Sequence, residues 1–275
     1  MSKTWLRDRG VVSVQGEEAA SFLQGLLTND VEALTVGEAR YAALLTPQGK
    51  ILFDMLVARA PAKVGQSFFV DCAAQQSAEL TKRLGFYKLR ARVVVADASH
   101  AHGVVAAWGA QLAAAPEGFR YVDPRDPRLG LRLILPRETA EAVGDADLPA
   151  YESLRVSLGI PKGGVDFAYG DAFPHDADLD LLNGVDFQKG CFVGQEVVSR
   201  MKHRGTARKR IVRVTLSGEA PPPGAAVLDG ELAVGSLGSS VGREALAMLR
   251  LDRVEDAKAA GRPLSAGGVG LVLAE

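Results

Sequence analysis

The residue best suited to chemistry is Cys191, which stands between Gly190 and Phe192. Lys189 lies two residues before it, and a helix is predicted to begin at Gly194, three residues after it. A lysine and a helix N-terminus both favour a thiolate, so this pattern predicts a reactive thiol that serves as a nucleophile, a redox group or a metal ligand. The alternative is that Cys191 is a small buried hydrophobic residue, as unpaired cysteines often are.

The other cysteine, Cys72, follows the apolar run 68–70 and has no glycine turn or lysine beside it, which favours packing in a core. With two cysteines and four histidines, the chain lacks the ligand spacing of a closed zinc or iron–sulfur site, and we predict no metal site. A free-standing thiol redox enzyme would need a resolving cysteine, which Cys72 in an apolar strand does not supply.

A basic stretch runs from residue 200 to residue 213, with seven Lys and Arg and no acidic residue. Such a cluster suits phosphates or the glutamate tail of a ligand, with Arg200 and Arg204 as predicted contacts, or it is simply a solvated face. The whole chain has a formal charge of −1 and the stretch has no interleaved aromatic residues, so nucleic acid is an unlikely partner. The sparse cysteines and the absence of an apolar run of about 18 residues predict a cytoplasmic protein without membrane contact.

The elements that must position these residues mix strands and helices without the regular βαβ rhythm, which predicts an α+β fold. Before the cysteine comes a segment rich in Gly, Asp and Pro, residues 162–186, and loops of this length are usually functional or disordered. After it the pattern consists of short strands separated by turns, which predicts a small β-barrel. We therefore predict an α+β region over residues 1–205, formed by two sub-domains, and a barrel over residues 206–275. The predicted strands and helices cover residues 11–14, 19–27, 39–46, 51–59, 68–72, 75–86, 89–96, 129–135, 150–158, 210–216, 225–228, 232–241, 245–251 and 269–273.

The octapeptide Lys189-Gly190-Cys191-Phe192-Val193-Gly194-Gln195-Glu196 resembles the signature of the YgfZ family, in which the position of Phe192 is a tyrosine. That family comprises folate-binding proteins akin to the glycine cleavage T protein and to the mitochondrial factor that assists four-iron cluster assembly. Three flanking segments, residues 22–31, 46–50 and 174–187, also match the family pattern, so the resemblance spans nearly the whole chain.

The resemblance implies a glycine cleavage T protein-like fold around a central folate-sized channel, closed at its C-terminal end by a β-barrel. It places the octapeptide at the channel, with Lys189, Gly190, Gly194, Gln195 and Glu196 beside the cysteine. Tyr151 would line the folate pocket together with Arg155, and Arg9 falls where the family has a second aromatic residue. Tyr151 also continues an apolar helix face, so core packing is the alternative.

The function implied by the resemblance is that of a tetrahydrofolate-dependent accessory protein in the assembly or repair of iron–sulfur proteins. Its partners would be assembly proteins or client iron–sulfur enzymes. The alternative is a folate-dependent aminomethyl or one-carbon transferase like the T protein. The T protein pattern has a catalytic Asp after the strand that ends at Cys72, whereas residues 73–78 here contain no acidic residue.

Overall fold

The computed structural model describes residues 2–110, 116–205 and 208–274. It confirms the α+β expectation, because all the strand pairs within its sheets are antiparallel and the helices pack at their faces. The strands are β1 (Ser2–Trp5), β2 (Arg9–Gly16), β3 (Ala39–Leu45), β4 (Ile51–Ala60), β5 (Gln66–Ala73), β6 (Val93–Asp97), β7 (His102–Trp108), β8 (Phe119–Val122), β9 (Leu131–Pro136), β10 (Lys209–Leu216), β11 (Ala226–Asp229), β12 (Leu232–Val241), β13 (Glu244–Arg250), β14 (Leu264–Ala266) and β15 (Val269–Leu273). The helices are α1 (Ala19–Gln24), α2 (Ser77–Lys88), α3 (Arg137–Val143), α4 (Leu148–Ser157), α5 (Gln195–Arg204) and α6 (Leu251–Ala259).

Two sheets form the N-terminal part of the molecule. One has five strands in the order β3-β4-β5-β2-β6, and the other has four in the order β1-β7-β9-β8. A core of apolar residues fills the space between the first sheet and its helices α1 and α2, and it includes Leu23, Leu80 and Cys72. A larger core joins both sheets to α4, to α5 and to the barrel, with Tyr41, Tyr151 and Phe192 among its members.

The C-terminal strands close into a six-stranded barrel in the order β10-β13-β12-β11-β14-β15. Its interior holds a separate apolar core that includes Val214, Leu237 and Leu249. The boundary predicted between residues 205 and 206 adjoins residues 206–207, which lie outside the described residues, and the division into two domains stays a prediction.

The long segment that precedes the cysteine is irregular, as its composition predicts: residues 162–194 contain no named helix or strand. It is nonetheless well packed, because Ala177 and Leu179 are fully buried in the larger core. The strand predicted from residue 89 begins at Val93 instead, since α2 continues to Lys88 and Leu89 then adopts a positive φ of 43°. Among the described residues, none of the helices is both long and apolar enough to cross a membrane.

Candidate functional site

The two cysteines differ in their access to solvent. Cys191 is exposed, whereas Cys72 is fully buried in β5. Burial raises the pKa of the Cys72 thiol to about 12, which keeps it protonated and unreactive at neutral pH. The cysteine that the octapeptide singles out is therefore the one that a partner can reach.

Lys189 holds the cysteine turn in place through its ammonium group. The Nζ atom donates to the backbone oxygens of Gln24, Leu27 and Asn29, at 2.8, 2.7 and 2.8 Å. These three bonds use all three hydrogens of the group, so none is left to donate to the Cys191 sulfur. Burial lowers the pKa of Lys189 to about 8. In this geometry Lys189 anchors the turn to the chain that follows α1, which differs from the activating role that sequence proximity predicts.

Two glycines fit the octapeptide against the hairpin turn between β3 and β4. Gly194 has a φ of +81°, and a Cβ there would lie 2.6 Å from the Thr46 backbone oxygen and 3.1 Å from the Gly49 Cα. A Cβ on Gly49 would in turn meet Val197 Cβ at 2.9 Å. Gly190 is different, because a Cβ there would meet no atom within 4 Å. The turn is thus closely packed on its helix side and open beside the thiol.

The last two residues of the octapeptide begin α5. The backbone N–H of Gln195 donates to the Phe192 backbone oxygen at 3.2 Å, and the Phe192 ring is buried in the larger core. Glu196 pairs with Arg200 one helical turn on, and both side chains are exposed. An exposed pair of this kind contributes little to stability, so Glu196 and Arg200 form a solvated face of the helix.

The basic stretch does not form one continuous cationic surface. Arg210 donates to both carboxylate oxygens of Asp180 and to Asp178, and this pairing ties β10 to the irregular segment. Burial raises the pKa of Asp178 to about 7. Lys202 is exposed, and its Nζ lies 3.6 Å from the centre of the Phe187 ring. The side chain of Arg204, a predicted contact for a ligand tail, lies outside the described residues.

Three of the residues predicted to bind folate, Arg9, Tyr151 and Arg155, do converge, but they meet in a closed network of buried charges. The Tyr151 hydroxyl accepts a hydrogen bond from Arg132 Nη2 at 2.8 Å, and Arg132 also donates to Asp71 and Asp123. Arg9 donates to both the side chain and the backbone of Asp71. Burial by itself raises the pKa of Asp123, but the neighbouring arginines outweigh it and lower that pKa to about 2.

Arg155 joins the same region from the next turn of α4. It donates to Glu152, to Asp166 and to the Ser239 hydroxyl in the barrel. The cavity that Tyr151, Arg9 and Arg155 line has a volume of about 20 Å³, far below the ~300 Å³ at which small-molecule sites begin. A folate does not fit there with the side chains as they stand. The channel implied by the resemblance is filled by ion pairs at this point.

A second, much larger cavity opens beside the cysteine turn, and we call it the open cleft. Its volume is about 770 Å³, within the range of small-molecule sites. Asp123 lines it as well, so it adjoins the buried charge network. Its lining residues Asn29, Asn183 and Phe187 lie in segments that match the family pattern. The residues that line it are Asn29, Gly37, Glu38, Ala39, Arg40, Val122, Asp123, Pro124, Pro127, Asn183, Val185, Asp186, Phe187, Gln188 and Lys202.

The charged core of the molecule was not predictable from the spacing of residues in the sequence. Arg132 lies within the apolar run 131–135 of β9 and Asp71 within the apolar run of β5, and a single charged residue in such a strand is the only signal of either. The pairing of Asp71 with Arg9 and Arg132 depends on contacts between distant parts of the chain, which spacing does not show. Among the described residues, no group of three or more His, Cys, Asp or Glu side chains is placed to hold a metal ion.

Comparison with protein families agrees with this architecture. Residues 8–115 match the GCVT N-terminal domain, and residues 208–275 match the C-terminal β-barrel domain of CAF17. A crystal structure of the glycine cleavage system aminomethyltransferase T from Bartonella henselae superposes with a TM-score of 0.79 at 21% identity, covering 99% of this chain and 84% of that chain. The fold is therefore that of the glycine cleavage T proteins with a C-terminal barrel, as predicted.

Curated relatives identify the family. The mitochondrial iron–sulfur cluster assembly factor IBA57 of Mus musculus is 33% identical over 91% of this chain and 78% of its own length. The human protein of that name is 31% identical over the same shares of the two chains, 91% and 78%. The homologue from Mycosarcoma maydis is 34% identical over 83% of this chain, which spans 61% of the length of that relative. The chain belongs to the family of IBA57 iron–sulfur cluster assembly factors.

These relatives correct two predictions. The resemblance to the YgfZ family holds for the fold and for the kinship with iron–sulfur assembly factors, but the relatives found are IBA57 proteins, a sister family. The prediction of a cytoplasmic location is wrong by this comparison, because the relatives are named as mitochondrial proteins. Sparse cysteines indicate a reducing compartment without telling one such compartment from another.

Proposed function

We propose that this chain is an accessory protein in the assembly or repair of iron–sulfur proteins and that Cys191 is the group that acts on the partner. The observation that carries the proposal is an exposed thiol on a turn that is fixed on both sides. Lys189 holds one side through three carbonyls, and Gly194 seats the other against the hairpin turn. A reactive group that is exposed yet positioned is what a transient reaction with another protein requires. The names of the relatives support the same role.

The chemistry follows from the number of ligands that the chain offers. Cys191 supplies one thiolate, whereas a four-iron cluster is usually held by four cysteines. When the Cys191 sulfur binds iron, it replaces one thiolate of the partner on the cluster, and the displaced thiolate leaves as a thiol with the proton that Cys191 gives up, without any change in oxidation state. The cluster is cargo in this step, and the partner holds the remaining irons. The chain's own residues keep the sulfur accessible and aligned.

The test replaces each cysteine in turn. Cys191→Ser should leave the thermal midpoint unchanged and abolish rescue of iron–sulfur enzyme activity in cells that lack the protein. Cys72→Ala is the matched control: it removes the buried thiol, costs about 1 kcal/mol of stability, and should still rescue. Full rescue by Cys191→Ser would refute the proposed role of the thiol.

We further propose that the open cleft binds tetrahydrofolate, a carrier of one-carbon units. The support is its volume of about 770 Å³ and the character of its wall. Phe187 offers a ring for contact with a pterin, Lys202 a cation for a glutamate carboxylate, and Asn183 and Gln188 polar amides. The cavity at Tyr151 does not have the volume for this ligand, so no step is assigned to it.

Calorimetric titration with tetrahydrofolate triglutamate distinguishes the two cavities. Lys202→Met should weaken binding about fivefold or more through the loss of one charged contact, and that loss should shrink at high salt. Tyr151→Phe, which removes only the hydroxyl bonded to Arg132, should leave the affinity unchanged. If Tyr151→Phe weakened binding and Lys202→Met did not, the ligand would lie in the cavity at Tyr151 after rearrangement of its ion pairs. Absence of binding would remove the folate proposal.

The aminomethyltransferase alternative has the support of the fold but not of the local sequence. Residues 73–78, which follow β5, carry no carboxylate in the segment where the resemblance calls for one. The fold alone does not fix an activity. We therefore propose the accessory role and not the transferase.

A further inference from the structure

An exposed apolar corner lies where α2 ends and β6 begins, and we call residues 86–94 the α2–β6 corner. Leu89 is 88% exposed, and Phe86 and Val94 are each 65% exposed. Strand β6 is the outermost strand of the five-stranded sheet, so the corner stands at a free edge. Large apolar side chains grouped at such an edge are typical of a surface that another molecule covers.

The backbone at Leu89 is strained as well as exposed. Its φ is 43° and its ψ is −107°, a conformation that suits glycine and disfavours a side chain with a Cβ. Packing of the Leu89 side chain inside the protein does little to offset this strain, because nearly all of the residue faces solvent. Strained residues of this kind concentrate at functional sites, where another contact compensates for the strain.

The corner is strongly basic although the whole chain is close to neutral. Residues 82–92 contain five basic residues and no acidic one, against a formal charge of −1 for the chain. Arg83 pairs with Glu79, and Arg92 with Glu17 and Glu18. Among the described residues, the remaining three form no ion pair. These three are Lys82, Lys88 and Arg90.

A groove lies beside this corner. It has a volume of about 390 Å³ and lies between α1 and the chain before β6, and its lining includes Glu18, Phe22, Arg90 and Ala91. Helix α1 spans six residues, or about 9 Å, and the oxygen of its last residue, Gln24, accepts a hydrogen bond from Lys189. Helix α1 therefore connects the groove to the turn that carries Cys191.

We propose that the α2–β6 corner and its groove form the docking surface for the partner protein, through a segment with an apolar side chain flanked by acidic residues. The apolar side chain contacts Leu89 and Phe86, and the acidic residues pair with Arg90 and Lys88. Charge complementarity selects this occupant, because a second copy of the same corner would bring like charges together. The inference rests on the proposed function, since docking here places the partner's cluster beside Cys191.

The first test separates docking from folding. Leu89→Gly relieves the positive φ, so its thermal midpoint should equal or exceed that of the wild type, while rescue of iron–sulfur enzyme activity should fall about tenfold. Arg90→Glu should reduce rescue to a similar extent. Val272→Ser, which changes another exposed apolar residue, on β15, is the control and should rescue fully. Full rescue by Leu89→Gly and Arg90→Glu would overturn the inference.

The second test identifies the occupant. A photoreactive benzoylphenylalanine at position 89, compared with one at position 272, should cross-link in cells to one protein, at a peptide that contains acidic residues. The adduct should disappear with Arg90→Glu and return when the acidic residue of that peptide is changed to Lys. An adduct to the chain itself or to lipid, or no adduct at position 89, would overturn the inference. Cys191→Ser should keep the adduct while losing rescue, so a failure of docking and a failure of the thiol mechanism are distinguishable.

Discussion

The cysteine turn and the Tyr151 region use the same kinds of residue in opposite ways. At the turn, the ammonium group of Lys189 donates its hydrogens to backbone carbonyls, and Cys191 is a free, exposed cysteine. At Tyr151, the hydroxyl and the surrounding charged groups form hydrogen bonds and ion pairs with one another, and a cavity of about 20 Å³ remains. Fixed anchors around one free atom suit a reactive site, whereas a fully paired network suits a structural core.

The largest effect is expected in the buried network. Asp71→Asn keeps the volume but removes the charge that faces Arg9 and Arg132, both of which are buried or nearly so. Leaving these charges uncompensated should lower the free energy of unfolding by about 3–5 kcal/mol, measured by urea denaturation. Glu196→Gln, in the exposed pair with Arg200, is the control and should change it by less than about 0.5 kcal/mol. Equal effects of the two variants would mean that the network does not hold the two sheets together.

Much of the framework follows from the sequence, for reasons that particular elements show. β12 has the predicted bounds, 232–241, and the turn at 47–50 joins β3 to β4 as expected, because alternation and Gly and Pro act locally. Helices α3 and α6 were not predicted, since short helices depend on the sheet or barrel that they cover.

The site was predictable only in part. Cys191 was identified from its glycine, its lysine and the family motif, and it is exposed as a reactive thiol must be. The direction of the Lys189 side chain was not predictable, because its acceptors lie 160 to 165 residues away in the chain. The filling of the cavity at Tyr151 depends in the same way on Arg132 and Asp71, which reach it from two different sheets.

An intermediate effect is expected for the anchor of the turn. Lys189→Met removes three charge-assisted hydrogen bonds, although it also relieves the burial of a charge. We expect a net loss of about 1–3 kcal/mol, together with faster hydrogen exchange at residues 188–194. Lys189→Arg keeps the charge and serves as the control, with a smaller loss. Unchanged exchange in Lys189→Met would show that the turn does not depend on this anchor.

The smallest effect is expected for Gly190→Ala, compared with alanine at the other glycine of the octapeptide, Gly194. Gly194→Ala forces a Cβ to 2.6 Å from the Thr46 oxygen at a positive φ and should cost about 1–3 kcal/mol of stability. Gly190→Ala meets no atom within 4 Å and should cost less than about 0.5 kcal/mol. Thermal denaturation of the two variants measures the difference, and a larger loss for Gly190→Ala would contradict the packing described for the turn.

The contrast between a free thiol and a closed interior is tested most directly by alkylation of the native protein with iodoacetamide at neutral pH, followed by mass spectrometry of the intact chain and its peptides. Because Cys191 is exposed and Cys72 is fully buried, the native protein should take up one label, on Cys191, and the second label, on Cys72, should appear only in denaturant. Failure of Cys191 to react without denaturant, or equal rates for the two cysteines in the native protein, would contradict the account.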